Sequence, residues 1–147
     1  LSENKNKNLF YSFDGELQSF GNTDLAYSPS FVANNIINFS PSDKVLISLR
    51  SNYVSEQFFA QTNRPISKLD SYFINDLNFI HELSLPNYAD ELKLKVLVNN
   101  IFDIKYTSYG GYYTYDLPDG QGLKTYEGTY YYPQSGINIL VGLDIKF

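Results

Sequence analysis

Cysteine, methionine and tryptophan are absent from the 147 residues, and histidine occurs once. Without cysteine there is no disulfide framework, no thiolate metal centre and no cysteine nucleophile. A single histidine excludes a multi-histidine metal site. No nucleophile, base and orienting group can be assembled around it. The sequence therefore predicts no enzyme, no catalytic residues, no bound metal and no cofactor. Basic residues are also scarce: 11 Lys and Arg stand against 16 Asp and Glu, a net charge of −5. That balance argues against a nucleic-acid partner, which needs a basic patch. No apolar run approaches the ~18 residues of a transmembrane helix. No basic stretch precedes an apolar one at the start, as a signal peptide would require. The first residue is Leu1, which suggests a processed product or a fragment.

What is abundant is aromatic: 14 Tyr and 11 Phe. This is too aromatic for a disordered tail and suits a β-protein. Alternation with a period of two dominates. In 136–147 one face reads Ile137, Ile139, Val141, Leu143, Ile145 and Phe147, all apolar. The other reads Gly136, Asn138, Leu140, Gly142, Asp144 and Lys146. Segment 91–102 repeats the pattern, with Leu92, Leu94, Val96 and Val98 alternating with Glu91, Lys93, Lys95, Leu97 and Asn99. In 44–56, Val45, Ile47, Leu49 and Tyr53 share a face interrupted by Ser51. Segment 69–83 is interrupted by Ser71, Asn75 and His81, and 31–39 by Asn35. A sixth strand, over 9–17, is less regular and could be loop. The expected fold is all-β, an antiparallel up-and-down meander of five to six strands.

The connections alternate in length. Ser40-Pro41-Ser42-Asp43 is a tight turn, 57–68 is longer, Pro86-Asn87-Tyr88-Ala89-Asp90 is short, and 106–134 is long and rich in Gly and Tyr. Short then long is the alternation of an outer-membrane barrel. In a soluble sandwich the apolar face would be the core. In a membrane barrel it meets lipid, and the polar face lines the lumen. Segment lengths match the ~9–11 residues of a lipid-crossing strand rather than the ~5–6 of soluble ones. Aromatics near the segment ends match interfacial girdles. Five or six lipid-facing strands would leave two unpaired edges that lipid cannot satisfy. More strands are thus expected on the N-terminal side.

Several stretches resemble the C-terminal end of TonB-dependent outer-membrane receptors. Val98-Asn99-Asn100-Ile101-Phe102-Asp103-Ile104-Lys105-Tyr106 is similar to that family's penultimate-strand motif, V-x-N-L-F-D-K-x-Y. The ending, from Tyr132-Pro133 to Phe147, resembles its final strand, which follows a Pro and stops on an aromatic. Tyr27-Ser28-Pro29-Ser30, Tyr53-Val54-Ser55-Glu56-Gln57-Phe58 and Leu69-Asp70-Ser71-Tyr72-Phe73 resemble other stretches of the family, in family order. Ser55 departs from a common Gly and Ile101 from a common Leu. The resemblance implies that residues 1–147 are the C-terminal portion of a 22-stranded transmembrane barrel, without its plug, its TonB-contacting segment or most of its wall. For the intact protein it implies active uptake of a scarce nutrient, most often a ferric siderophore or related iron complex. Its partners would be outer-membrane lipid, TonB through the N-terminal part, the barrel-assembly machinery and the nutrient. Two alternatives remain. A small complete outer-membrane barrel, adhesive or structural, would need two or three more strands within 1–28. A soluble Tyr-rich carbohydrate-binding sandwich would fold in water without detergent and have strands of ~5–6 residues.

Candidate sites follow. Segment 106–134 holds nine of the 14 Tyr and reads as an extracellular loop that grips ligand by stacking and hydroxyl donors. Tyr112, Tyr113, Tyr115, Tyr126 and Tyr130 are its candidate ligand residues, with Gly110-Gly111 and Gly120-Gln121-Gly122 as turns. The final strand doubles as an assembly signal through Ile139, Val141, Leu143, Ile145 and Phe147, which the resemblance implies is read by the assembly machinery. Asp116-Leu117-Pro118-Asp119-Gly120 lacks the full pattern of a calcium loop. His81 reads as an interfacial girdle residue. Lys44, Arg50, Glu56, Lys93, Lys95, Asp144 and Lys146 are expected to pair across neighbouring strands on the lumen side.

Overall fold

A computed structural model describes residues 3–83, 89–120 and 122–147. Among the described residues there are eleven strands: β1 (Lys5–Phe13), β2 (Glu16–Asp24), β3 (Val32–Ser42), β4 (Val45–Val54), β5 (Gln57–Phe58), β6 (Lys68–Leu69), β7 (Tyr72–Leu83), β8 (Glu91–Asn99), β9 (Thr107–Asp119), β10 (Gly122–Pro133) and β11 (Asn138–Lys146). A 3-10 turn, Pro65–Ser67, precedes β6. The protein is all-β, and its chain divides into two compact units.

One unit, 33–53 with 73–105 and 135–147, is a five-stranded sheet ordered β11-β8-β7-β4-β3. Sheet order follows chain order, so these strands form an up-and-down meander. β11 pairs antiparallel with β8, and β8 with β7. Their register carries the apolar face across three strands: Ile139, Val98 and Leu77 form one row, and Val141, Val96 and Phe79 the next. Asp144, Lys93 and Glu82 share a row on the opposite face. β3 and β4 are separated by Asp43 and Lys44 alone, so the turn is tighter than the four residues expected. Most of the expected turn at Pro86-Asn87-Tyr88 lies outside the described residues.

Leu92 and Val54, the last residue of β4, are the only hydrophobic side chains of this sheet that are buried among the described residues. On β11, Val141 is 68% exposed and Leu143 60%. At about 25 cal/mol per Å² of apolar surface, a face left this open forgoes the main driving force of a water-soluble core. The expected interruptions Ser51 and Asn75 meet, because the Ser51 hydroxyl donates to Asn75 Oδ1 at 2.6 Å.

The other unit, 3–32 with 54–72 and 106–134, contains three small sheets. Two expectations are corrected here. Segment 9–17 is not one strand: Asp14 and Gly15 take positive φ (53° and 73°) and fold it into the β1–β2 hairpin. An Asp-Gly pair suits a two-residue hairpin turn because both central residues need φ > 0. The hairpin forms a sheet of its own and adds no strand to the meander. Segment 106–134 is not a loop but the long β9–β10 hairpin, in register from Gly122↔Asp119 to Tyr132↔Tyr109. Gly110 and Gly111 lie inside β9 rather than in a turn. Of the expected second turn, Gln121 lies outside the described residues. Glu56 is also corrected: β4 ends at Val54, and Glu56 pairs with Lys68 of β6 at 2.7 Å rather than across neighbouring strands of the five-stranded sheet.

Candidate functional site

The β9–β10 hairpin has two unlike faces. Strand alternation places residues 109, 111, 113 and 115 on one side, facing 132, 130, 128 and 126 across the hairpin. This side is almost wholly tyrosine and glycine. Its cross-strand partners interlock. Tyr130 stands opposite Gly111 and Tyr113 opposite Gly128, and each ring occupies the space that a Cβ on its glycine would need. Ring then follows ring. Tyr115 stacks on Tyr126 (5.6 Å between centroids, 15°) and Tyr113 on Tyr115 (6.4 Å, 20°). Tyr109 and Tyr132 lie 5.6 Å apart, and Tyr130 meets Tyr132 edge-on at 5.6 Å. Tyr27 continues the series, parallel to Tyr109 at 5.2 Å, and its hydroxyl donates to the Gly110 carbonyl. Burial, reinforced by Tyr109, raises the Tyr27 hydroxyl pKa above 10.0. At the far end the Lys124 ammonium lies 5.6 Å from the Tyr126 ring centroid.

The opposite face anchors the hairpin. Tyr112 donates to Glu127 Oε1 at 2.6 Å, and Arg64 Nε lies 2.5 Å from the same oxygen. The Arg64 guanidinium also rests over the Phe13 ring at 4.9 Å. Burial, and then the Glu127 carboxylate, push the Tyr112 hydroxyl pKa upward. Tyr131 donates to the Ile66 carbonyl at 2.9 Å and meets Phe59 edge-on. Thr125 bridges two carboxylates, with its amide donating to Asp14 and its hydroxyl to Asp116.

Of the five candidate ligand residues, Tyr113, Tyr115, Tyr126 and Tyr130 therefore share one exposed face. Tyr112 does not; it belongs to the anchoring face. Sequence reasoning missed Tyr27, Tyr109 and Tyr132, which extend the exposed series. The signal for Tyr109 was present, since 109, 113 and 115 keep a spacing of two.

The other candidates take these places. Ile139, Val141, Leu143 and Ile145 lie on the apolar face of β11, opposite Val98, Val96, Leu94 and Leu92, and Phe147 follows them, 86% exposed. On the polar face Lys95 pairs with Asp144, and Lys93 with Glu82 (3.1 Å) and Glu91 (2.5 Å). Arg50, Asp76, Asn78 and Asn99 line a hollow of about 450 Å³ on that face. His81 stands opposite Leu94, its ring edge toward Phe79 at 6.2 Å. Asp116 and Asp119 lie within β9. Among the described residues no group of three or more His, Asp or Glu side chains is placed to hold a metal ion.

The 100–106 stretch is a hydrogen-bonded turn. Asn100, in left-handed conformation (φ 51°), donates through Nδ2 to the Ile104 carbonyl (2.9 Å) and the Ser135 carbonyl (3.3 Å), and accepts from the Ile104 amide (3.0 Å). Asp103 accepts from the Ile137 amide at 2.9 Å and from Lys105 at 2.8 Å. The Lys105 ammonium, then the Ile137 amide, hold the Asp103 carboxyl below its usual 3.8.

Compared with family models, with curated proteins and with solved structures, the chain matches none.

Proposed function

We propose that this chain is the C-terminal wall of a TonB-dependent outer-membrane transporter barrel, serving uptake of a scarce nutrient. One observation carries the reading. A single meander has an apolar face that runs in register across β7, β8 and β11, part-buried on β7 and β8 and exposed along β11, while its reverse face holds ion pairs. A barrel wall asks for this arrangement, lipid outside and polar lumen inside. The sheet strands are 9–12 residues long, enough to cross a bilayer when tilted. Both short connections leave one end of the sheet and both long ones the other, as periplasmic turns and extracellular loops do. The turn at Asn100 and Asp103 supports the family resemblance from its chemistry, because these two side chains of the motif hold the chain's passage out of β8. A ferric siderophore is the commonest substrate class for such receptors.

The soluble-sandwich alternative fits poorly with strands of 9–12 residues and with the exposed apolar face of β11. The small-barrel alternative gains two strands in 5–24, but among the described residues they pair only with each other. The test is an antibody against residues 108–134, used on outer-membrane fractions with and without boiling. A heat-shifting band several times larger than the chain's 16.9 kDa is expected. A heat-shifting band near that mass would favour the small barrel. Signal confined to the soluble fraction would end the membrane reading.

A further inference from the structure

The gaps in the composition decide where oxidising equivalents go. Cysteine and methionine are the usual sulfur sinks, and this chain has neither, nor any tryptophan. Its 14 tyrosines are therefore its most readily oxidised side chains. One-electron oxidation of a phenol removes an electron and the hydroxyl proton and leaves a phenoxyl radical. Part of the unpaired spin sits on the ring carbons ortho to the oxygen. Two such radicals couple within one chain when their rings already lie side by side.

Tyr27 and Tyr109 meet that condition. Their ring centroids are 5.2 Å apart and their planes 9° from parallel. Tyr27 is fixed at both ends: its amide donates to the Phe58 carbonyl at 2.8 Å, and its hydroxyl to the Gly110 carbonyl. Tyr109 is fixed by the β9–β10 pairing, opposite Tyr132. Burial raises the Tyr27 pKa first, and Tyr109 adds to the shift by charge and by a side-chain hydrogen bond. The two hydroxyl ends, and the reactive carbons beside them, thus sit together. Partners held in place react without having to find each other. Both rings are open to a reagent, Tyr27 at 39% and Tyr109 at 51%. Tyr72 and Tyr106 have closer centroids, 4.6 Å, but are tilted by 37° and less exposed. Tyr115 and Tyr126 are stacked but farther apart and less parallel, at 5.6 Å and 15°.

We propose that Tyr27 and Tyr109 form an oxidative cross-linking site, joined as a dityrosine when hydrogen peroxide and a haem peroxidase supply the oxidation. Each phenol gives up one electron and one proton. A C–C bond forms between the two ortho carbons, and the hydrogens on those carbons move to the oxygens, restoring both phenols. Peroxide takes up the two electrons and two protons and leaves as two waters. In a chain without cysteine the link does the work of a disulfide, tying the β2–β3 connection to β9 across a long stretch of sequence. The proposal goes beyond the proposed function and does not rest on it.

The full chain, folded in detergent, is treated with hydrogen peroxide and a haem peroxidase. The expected product is a monomer two hydrogens lighter that shows the blue emission of dityrosine. Peptide mapping should place the bond between Tyr27 and Tyr109. Tyr27→Phe and Tyr109→Phe each keep a ring and lose a phenol, so either should abolish that product. Tyr131→Phe should leave it, because Tyr131 packs edge-on against Phe59. Circular dichroism confirms that the variants are folded; if one is not, mapping on the unsubstituted chain decides. No dityrosine, cross-linked dimers alone, or a bond mapped to another pair overturns the proposal. The heat-shifting band is read separately, so the membrane reading stands or falls without it.

Discussion

Asn100 holds three backbone groups with one amide side chain, and its own left-handed backbone suits few residues besides Asn and Gly. Replacing it with Gly keeps the backbone and loses the bonds. Asn100→Gly should therefore cost about 1–3 kcal/mol, measured as a drop in the thermal midpoint of the detergent-folded protein. Asp103 gives the same turn a pH dependence. Its folded pKa lies below 3.8, so its contribution is present above that value and is lost as pH falls below it. Hydrogen exchange at the Ile137 amide should quicken as pH drops below 3.8, beyond the intrinsic rate. In Asp103→Asn that extra change should vanish. Gly136 is bound to this turn by space: a Cβ there would collide with the Asp103 carboxylate.

Within the elements, the two faces of β8 give opposite expectations. Val96→Arg or Val141→Arg would place a charge on the face assigned to lipid, at about 2–4 kcal/mol near the midplane. Either should abolish outer-membrane assembly, read as loss of the heat-shifting band. Lys95→Ala, on the ion-paired face, should assemble normally; equal damage from both classes would reverse the facing assignment. In the hairpin, Glu127→Ala leaves Arg64 and Tyr112 without their shared acceptor. Amides of the 60–67 segment should then exchange faster, reporting a loosened anchor. The faces of the meander were legible in sequence because side chains alternate along a strand whatever its neighbours are. Pairings were not. The β1–β2 turn hides within the alternation, since Phe13, Gly15 and Leu17 keep the spacing of two straight through it. The β9–β10 hairpin hides for a different reason. Glycine is a poor strand former alone, and it is tolerated here because a tyrosine from the facing strand covers it. That partner lies 15 or 19 residues away, beyond any local pattern. The same blindness put Tyr112 among the ligand residues, because composition does not say which face a ring takes.

For the whole molecule, the meander has two open edges among the described residues, the free sides of β3 and β11. Open edges in lipid seek partners. Taken alone into detergent micelles, the chain should migrate in size-exclusion chromatography as edge-paired assemblies rather than monomers. A stable monomer would show that the sheet closes without further strands. What was legible at this scale was the alternation of short and long connections. The separate sheets formed by the excursions were not, because each depends on contacts distant in sequence.

The tyrosine–glycine pairs of the hairpin act as a key cut in two notches. Gly111 receives Tyr130, and Gly128 receives Tyr113. Sliding one strand by two residues in one direction would set Gly111 against Gly128 and Tyr113 against Tyr126, ring against ring with both notches empty. The pairs therefore act as a stop against slippage in that direction.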